Sequence, residues 1–286
     1  MDRLGNRIEH IHHPSADAGD DHDEFQDYDE GVEIEEEEVV EEIGEQELLA
    51  LLDQQQDSLE ICRGLFFSQN PDGLIPSGQT LSTLSEGAAQ GLYRNGLVVI
   101  DGFFTDAPTI SQAHQLAADL VATGRFVEAS TIRQDDDPFR DRKARDDWIL
   151  WLHANDELAS QPPLKPLVQK FEDLRADLGK IIRLSGETEY QYGFYRGTGG
   201  HYDRHRDSFP NDDPSDTEQR RVTAICYLNP ASWEPAHGGE LRIHRKGAER
   251  EIAPVGGRLV LFLSGVVDHE VCPSFQDRVA ITAWYK

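Results

Sequence analysis

The spacing of apolar residues changes character along the chain. Residues 1–44 hold few apolar positions and no sustained period, and they read as a disordered acidic tail. Leu48, Leu49, Leu51, Leu52, Leu59 and Ile61 recur at helical spacing and predict a short amphipathic helix over 45–62. Pro71, Gly73, Pro76 and Gly78 mark 63–79 as linker, so a folded domain is expected over 80–286. Within it, Leu81, Leu84, Ala88 and Leu92 suit a helix ending at Gly96, and Leu97–Ile100 reads as a strand. Thr105 or Asp106 can cap a following helix with Pro108 in its first turn. Ile110, Ala113, Leu116, Ala117, Leu120 and Val121 make its buried stripe, and Gly124 closes it. A longer helix is expected between Pro163 and Leu184, on Leu167, Phe171, Leu174, Leu178 and Ile181.

From Tyr190 the pattern becomes that of strands. Tyr190–Arg196, Val222–Leu228, Gly239–His244, Arg258–Leu263 and Arg278–Tyr285 are short, β-branched or aromatic, and separated by Gly, Pro and Asn. Helices followed by many short strands predict an α+β fold: a jelly roll, or double-stranded β-helix, braced by N-terminal helices.

Charge sharpens the division. The 286 residues carry a formal charge of −27. Residues 1–47 alone hold 19 acidic and 2 basic side chains, a net −17, which leaves −10 for the rest. This excludes a general nucleic-acid binder, which needs a cationic surface, and a polybasic membrane anchor. Cys62, Cys226 and Cys272 are odd in number and far apart, so no disulfide framework or zinc ribbon is expected. A reducing compartment, cytoplasmic or nuclear, is the reading. No secretory signal is seen, and the longest apolar runs are strand-sized, far below the roughly 20 residues of a membrane span.

The segment Gly199-Gly-His-Tyr-Asp-Arg-His-Arg-Asp-Ser208 contains two overlapping His-x-Asp pairs, His201/Asp203 and His205/Asp207. Residues i and i+2 of an extended backbone point the same way, so either pair can offer an imidazole and a carboxylate to one metal. His269 follows 62 residues after Asp207. Two His and one carboxylate form the facial triad that binds non-haem Fe(II) with positions left open. Arg278 and Thr282, four apart, share one face of the last strand, where a guanidinium beside a hydroxyl suits a buried carboxylate.

Taken together, these segments resemble the 2-oxoglutarate- and Fe(II)-dependent prolyl hydroxylases, and among them the intracellular oxygen-sensing enzymes. The resemblance spans residues 84–286. It rests on Leu97-Val-Val-Ile-Asp-Gly-Phe-Phe104, Arg145-Asp-Asp-Trp-Ile-Leu-Trp151, Tyr202-Asp-Arg-His-Arg-Asp207 and Arg221-Val-Thr-Ala-Ile-Cys-Tyr-Leu-Asn229. Gly238-Gly-Glu-Leu-Arg-Ile243, His269-Glu-Val-Cys-Pro273 and Arg278-Val-Ala-Ile-Thr-Ala-Trp-Tyr285 complete it. It implies His205, Asp207 and His269 as metal ligands, leaving His201 and Asp203 as loop residues; Asp268 is likewise expected in a loop. It also implies Arg278, Tyr227, Thr282 and Tyr195 at the cosubstrate, with Trp284 and Ile225 as apolar walls. Asp147 and Arg220 match a substrate-loop ion pair, and Trp151 an aromatic at the active-site mouth. Fe(II), 2-oxoglutarate and dioxygen are the implied reactants, with ascorbate as a candidate reductant, and a protein or peptide is the implied substrate. No nucleic acid or membrane partner is expected. The acidic loop Ser208–Gln219 departs from the family pattern, and the chain ends at the last strand. An oxygenase of small molecules and a non-enzymatic jelly-roll binding module are the competing readings.

Overall fold

The computed structural model describes residues 58–68, 73–129, 144–209, 216–245 and 249–286, together with the backbone of 131–132 and 138–139. The chain divides into two units, Met1–Glu42 and Ile43–Lys286, and all described residues fall in the second. The acidic tail, most of the 45–62 helix and residues 210–215 of the acidic loop lie outside them.

Residues 58–66 are helical (α1). Leu59, Cys62, Phe66 and Phe67 are buried in the same core as the rest of the domain, and Phe67 bridges to Ile182. Residues 63–67, read from the sequence as linker, thus belong to the fold. α2 (Glu86–Asn95) starts on the Ser85 hydroxyl, which accepts from Ala88 N, and ends at Gly96 with φ +66°. β1 (Leu97–Ile100) follows. α3 (Ala107–Ala122) is capped by Asp106 and carries its proline in the first turn. α4 (Leu164–Leu178) is shorter than its apolar stripe predicted.

The remaining strands are β2 (Val127–Glu128), the pair β3 (Thr131–Ile132) and β4 (Pro138–Phe139), β5 (Trp148–Leu152), β6 (Glu189–Tyr195) and β7 (Gly200–His205). They continue with β8 (Val222–Tyr227), β9 (Leu241–His244), β10 (Arg250–Ile252), β11 (Leu259–Leu263), β12 (Asp268–Ser274) and β13 (Arg278–Tyr285). Seven form the larger sheet in the order β1-β11-β8-β13-β6-β5-β2, and four the smaller in the order β10-β9-β12-β7. Every pairing is antiparallel. The architecture is the expected α+β jelly roll with N-terminal helices.

Strand alternation assigns the two faces of the larger sheet. On one face Tyr192 donates to the carbonyl of Ala113 in α3, and Tyr285 donates to that of Phe171 in α4. Phe171 also packs against Tyr190, ring centroids 5.9 Å apart. The helices therefore cover this face, burying large rings worth about 1.5–3 kcal/mol for a Phe. The residues of opposite parity, Gln191, Gly193 and Tyr195 on β6 and Arg278, Ala280, Thr282 and Trp284 on β13, turn toward the smaller sheet and line a cavity of about 150 Å³.

Candidate active site

From the smaller sheet, the cavity receives His205 at the end of β7 and His269 near the start of β12. The ladder sets these two residues directly opposite each other. Their rings lie 4.3 Å apart between centroids. Asp207 lies just past the end of β7, and its Oδ1 is 3.6 Å from His205 Nε2 and 3.9 Å from His269 Nε2. One ligand atom from each residue falls within 4.8 Å of the others, and among the described residues no other such cluster of three occurs.

Each donor is aimed by a second hydrogen bond. His205 Nδ1 is 2.8 Å from the carbonyl of Asp203, and His269 Nδ1 is 3.2 Å from that of Val267. A carbonyl only accepts, so both Nδ1 atoms carry a proton and both Nε2 atoms face Asp207. Asp207 Oδ2 accepts from Thr223 Oγ1 at 2.7 Å and from Trp284 Nε1 at 3.0 Å, which leaves Oδ1 for the cluster. Burial, reinforced by the neighbouring His269, pulls His205 down to about 4, so its imidazole is neutral at pH 7. Burial opposes ionisation of Asp207, but the two histidines and its two hydrogen-bond donors hold it below the usual carboxylate range. Two imidazoles and one carboxylate oxygen on a common point form a donor set that fits Fe(II).

Across the cavity, Arg278 is 2 % exposed. Its Nε donates to the Gly239 carbonyl at 2.8 Å, and its guanidinium lies 4.8 Å from the Tyr195 ring and 5.1 Å from the Tyr227 ring. Among the described residues no carboxylate is paired with it. The Tyr227 hydroxyl beside it is buried and closes no hydrogen bond of acceptable geometry. A buried cation and an orphaned hydroxyl together call for an anionic ligand with acceptor oxygens, because each is costly unpaired. This suits the carboxylate of 2-oxoglutarate. Thr282 and Tyr195 line the cavity, and Tyr227, not itself among its lining residues, lies beside the Arg278 guanidinium.

Several expectations need correction. His201 and Asp203 lie on β7, in extended backbone rather than a loop, and neither lines the cavity. Asp203 orients His205 through its carbonyl. Asp268 opens β12 instead of lying in a loop. Asp147 and Arg220 do not pair. Asp147, 1 % exposed, is held by Arg145 through two 2.8 Å bonds, because the two residues stand two apart on a near-extended segment. Arg220 instead lies 4.0 Å over the Trp284 ring and reaches Glu189 at 2.8 Å. Trp151 is at the mouth, 46 % exposed, with its ring 5.7 Å from that of Trp284.

Sequence reasoning overlooked three contributors. Thr223 holds Asp207, and its parity with Ile225 and Tyr227 on β8 was the available signal. Tyr202 stacks on His205 at 3.7 Å, and Arg145 lies 3.9 Å over the Tyr202 ring. That layering depends on β7 lying against residues 144–146, a long-range placement no local pattern reveals.

Comparison with known proteins agrees with this chemistry. A family model described as the 2OG-Fe(II) oxygenase superfamily matches residues 190–286. Egl nine homolog 1 of Rattus norvegicus is 33 % identical over 225 residues, covering 74 % of this chain and 63 % of the relative. The hypoxia-inducible factor prolyl hydroxylase of Caenorhabditis elegans is 29 % identical over 219 residues, covering 72 % and 28 %. The chain spans 44–63 % of the length of the Egl nine homolog 1 proteins of human, mouse and rat. A Pseudomonas putida prolyl-4-hydroxylase structure is 29 % identical with a TM-score of 0.54, covering 69 % of this chain and 96 % of its own. A Trichoplax adhaerens prolyl hydroxylase, solved with a hypoxia inducible factor oxygen degradation domain peptide fragment, is 28 % identical with a TM-score of 0.57, covering 68 % and 86 %. Residues 190–286 thus match the model of the 2OG-Fe(II) oxygenase superfamily, and the similar proteins of known name are prolyl hydroxylases.

Proposed function

We propose that this protein hydroxylates a prolyl residue of a protein or peptide, consuming 2-oxoglutarate and dioxygen and releasing succinate and carbon dioxide. His205, Asp207 and His269 would hold Fe(II). Arg278 would take the distal carboxylate of 2-oxoglutarate, helped by the hydroxyls of Tyr227 and Thr282, with Tyr195 walling the cosubstrate. The chemistry that metal and cosubstrate supply when bound is insertion of one oxygen atom of dioxygen into a substrate C–H bond, the other leaving in succinate.

The chain's own residues position and exclude. The imidazoles are directed by the carbonyls of Asp203 and Val267, Asp207 offers a single oxygen, and Ile225, Val271 and Trp284 supply apolar wall to the cavity. Trp151 and Arg220 at the mouth are the residues proposed to meet the substrate, with Asp147 acting through Arg145. A peptide substrate is supported by the Trichoplax relative, which was solved with one. An intracellular setting, ascorbate as reductant and oxygen sensing belong to the same proposal. The intracellular setting is supported by the free, buried Cys62, Cys226 and Cys272, and oxygen sensing by the Caenorhabditis elegans relative named for hypoxia-inducible factor.

The observation that carries the proposal is the buried Arg278, without a carboxylate partner among the described residues, lining the same cavity as the His-Asp-His cluster. Its test is an anaerobic titration of 2-oxoglutarate with Mn(II) present. Hydrogen bonds to charged groups are worth about 1.5–3 kcal/mol each. Arg278→Ala should therefore weaken binding on the order of tenfold to several hundredfold, and Arg278→Lys should recover only part, since a point charge lacks the guanidinium fork. Equal affinities would remove Arg278 from the cosubstrate site. A wild type that binds no 2-oxoglutarate would end the oxygenase reading. A mass gain of about 16 Da on a proline, dependent on an intact His269, would then identify the substrate.

A further inference from the structure

We propose that Asp268, gripped by Arg204 and Arg206, is a positioning residue that fixes the spacing of His205, Asp207 and His269 and so sets the metal affinity of the site. The proposal rests on the reading that those three residues hold the metal.

The geometry begins with the β7–β12 ladder. His205 and His269 face each other in register, so the next antiparallel step places Arg206 opposite Asp268. Alternation turns Arg204, Arg206 and Asp268 to the face of the smaller sheet opposite the two histidines. There Arg206 Nε reaches Asp268 Oδ1 at 2.6 Å and Arg204 Nη2 reaches Asp268 Oδ2 at 2.8 Å. Arg206 and Asp268 are well enclosed, their side chains 13 % and 16 % exposed, so their attraction is only partly screened by water.

Backbone pairing sets His205 against His269 but does not extend to Asp207. The ladder slips between His269 and Val271 and again before Ser274, and β7 stops at His205. Arg206 is also the residue between His205 and Asp207, so anchoring its side chain to β12 fixes the step from one ligand to the next. Its Nη1 approaches the Gly265 carbonyl at 3.4 Å, tying the same residue to the segment that leads into β12. Without Asp268, two guanidinium groups would stand together with their shared counter-charge gone, directly behind a site meant to receive a divalent cation. Both the spacing and the local field would then oppose metal binding.

The test uses the full chain and Mn(II) alone, with affinity followed by calorimetry and the bound ion by electron paramagnetic resonance. Asp268→Asn keeps the shape and removes the charge; Arg206→Gln removes the opposite partner. Each should weaken Mn(II) binding on the order of 10- to 100-fold, the range for residues that orient metal ligands, and broaden the Mn(II) resonance. The double variant should be no weaker than the worse single one, because both single variants already break the Arg206–Asp268 ion pair. Asp268→Glu should recover part of the affinity. A purely structural role would lower the melting temperature of the metal-free protein while the folded fraction bound Mn(II) with wild-type affinity and line shape, and that result would overturn the proposal. So would losses that multiply in the double variant. If Asp268→Asn does not fold, Arg206→Gln decides by the same criteria. Wild-type binding that is abolished by His269→Ala but unchanged by Asp268→Asn removes this proposal and leaves the metal site standing. A wild type that binds no Mn(II) removes both.

Discussion

Gly239 holds Arg278 in place by what it lacks. Its φ of +72° lies in the left-handed region, and a Cβ there would come within 2.9 Å of Arg278 Cδ and 2.8 Å of Ser274 Oγ. Its carbonyl meanwhile accepts from Arg278 Nε. Gly239→Ala should cost about 1–2 kcal/mol through the backbone alone and push the guanidinium away from the Tyr195 and Tyr227 rings. We expect a lower urea midpoint together with a weaker 2-oxoglutarate affinity in the anaerobic titration; an unchanged affinity would show that Arg278 does not depend on this turn. Single residues were also where the sequence was most informative. Arg278 and Thr282 could be placed on one face by counting, since a strand's period is two. The partners of Asp147 and Arg220 could not, because ion pairs between distant segments depend on which strands become neighbours.

At the scale of elements, α4 and the approach to α2 are joined by one carboxylate. Asp177, fully buried, accepts from the backbone N–H groups of Ser82, Thr83 and Leu84 at 2.8, 2.6 and 2.9 Å, and from Lys180 at 2.7 Å. Burial alone would raise its pKa, but these donors hold it below the ordinary carboxylate value. A depressed folded-state pKa means the stabilisation is complete above the unfolded pKa of about 3.9 and is lost as pH falls through the folded value. Asp177→Asn should cost about 1.5–3 kcal/mol at neutral pH, with the gap to wild type closing as the buffer is taken below about pH 4. Denaturant melts at pH 7 and pH 3 would show this, and a pH-independent gap would refute it. Elements differed in how readily they were read. β8 and β11 are buried along their whole length and appear as apolar runs. β7 and β12 do not, because they spend their positions on His, Asp, Arg and Glu for the site and for the ion pairs behind it. The strands that carry the two clustered histidines were thus the hardest to recognise by hydrophobic pattern.

For the whole molecule, the order of helices and strands sufficed to predict an α+β jelly roll, because short alternating strands after amphipathic helices leave few ways to bury both. The start of the folded region was less legible. Pro and Gly between 71 and 78 suggested a linker before the domain, yet Leu59, Cys62, Phe66 and Phe67 pack in its core. Two truncations separate tail from fold. Residues 1–44 have too few apolar side chains to offset an ordering cost of about 1–2 kcal/mol per residue. Their deletion should leave the melting temperature and 2-oxoglutarate turnover nearly unchanged, with the released charge visible only as weaker retention on an anion exchanger. Deletion of residues 1–79 removes the four core side chains as well. Burial of a Leu or Phe is worth about 1.5–3 kcal/mol, and a domain's total stability is only about 5–15 kcal/mol. The longer truncation should therefore melt far lower or fail to fold. A large loss on removing 1–44, or none on removing 1–79, would show that the working boundary of the folded domain lies elsewhere.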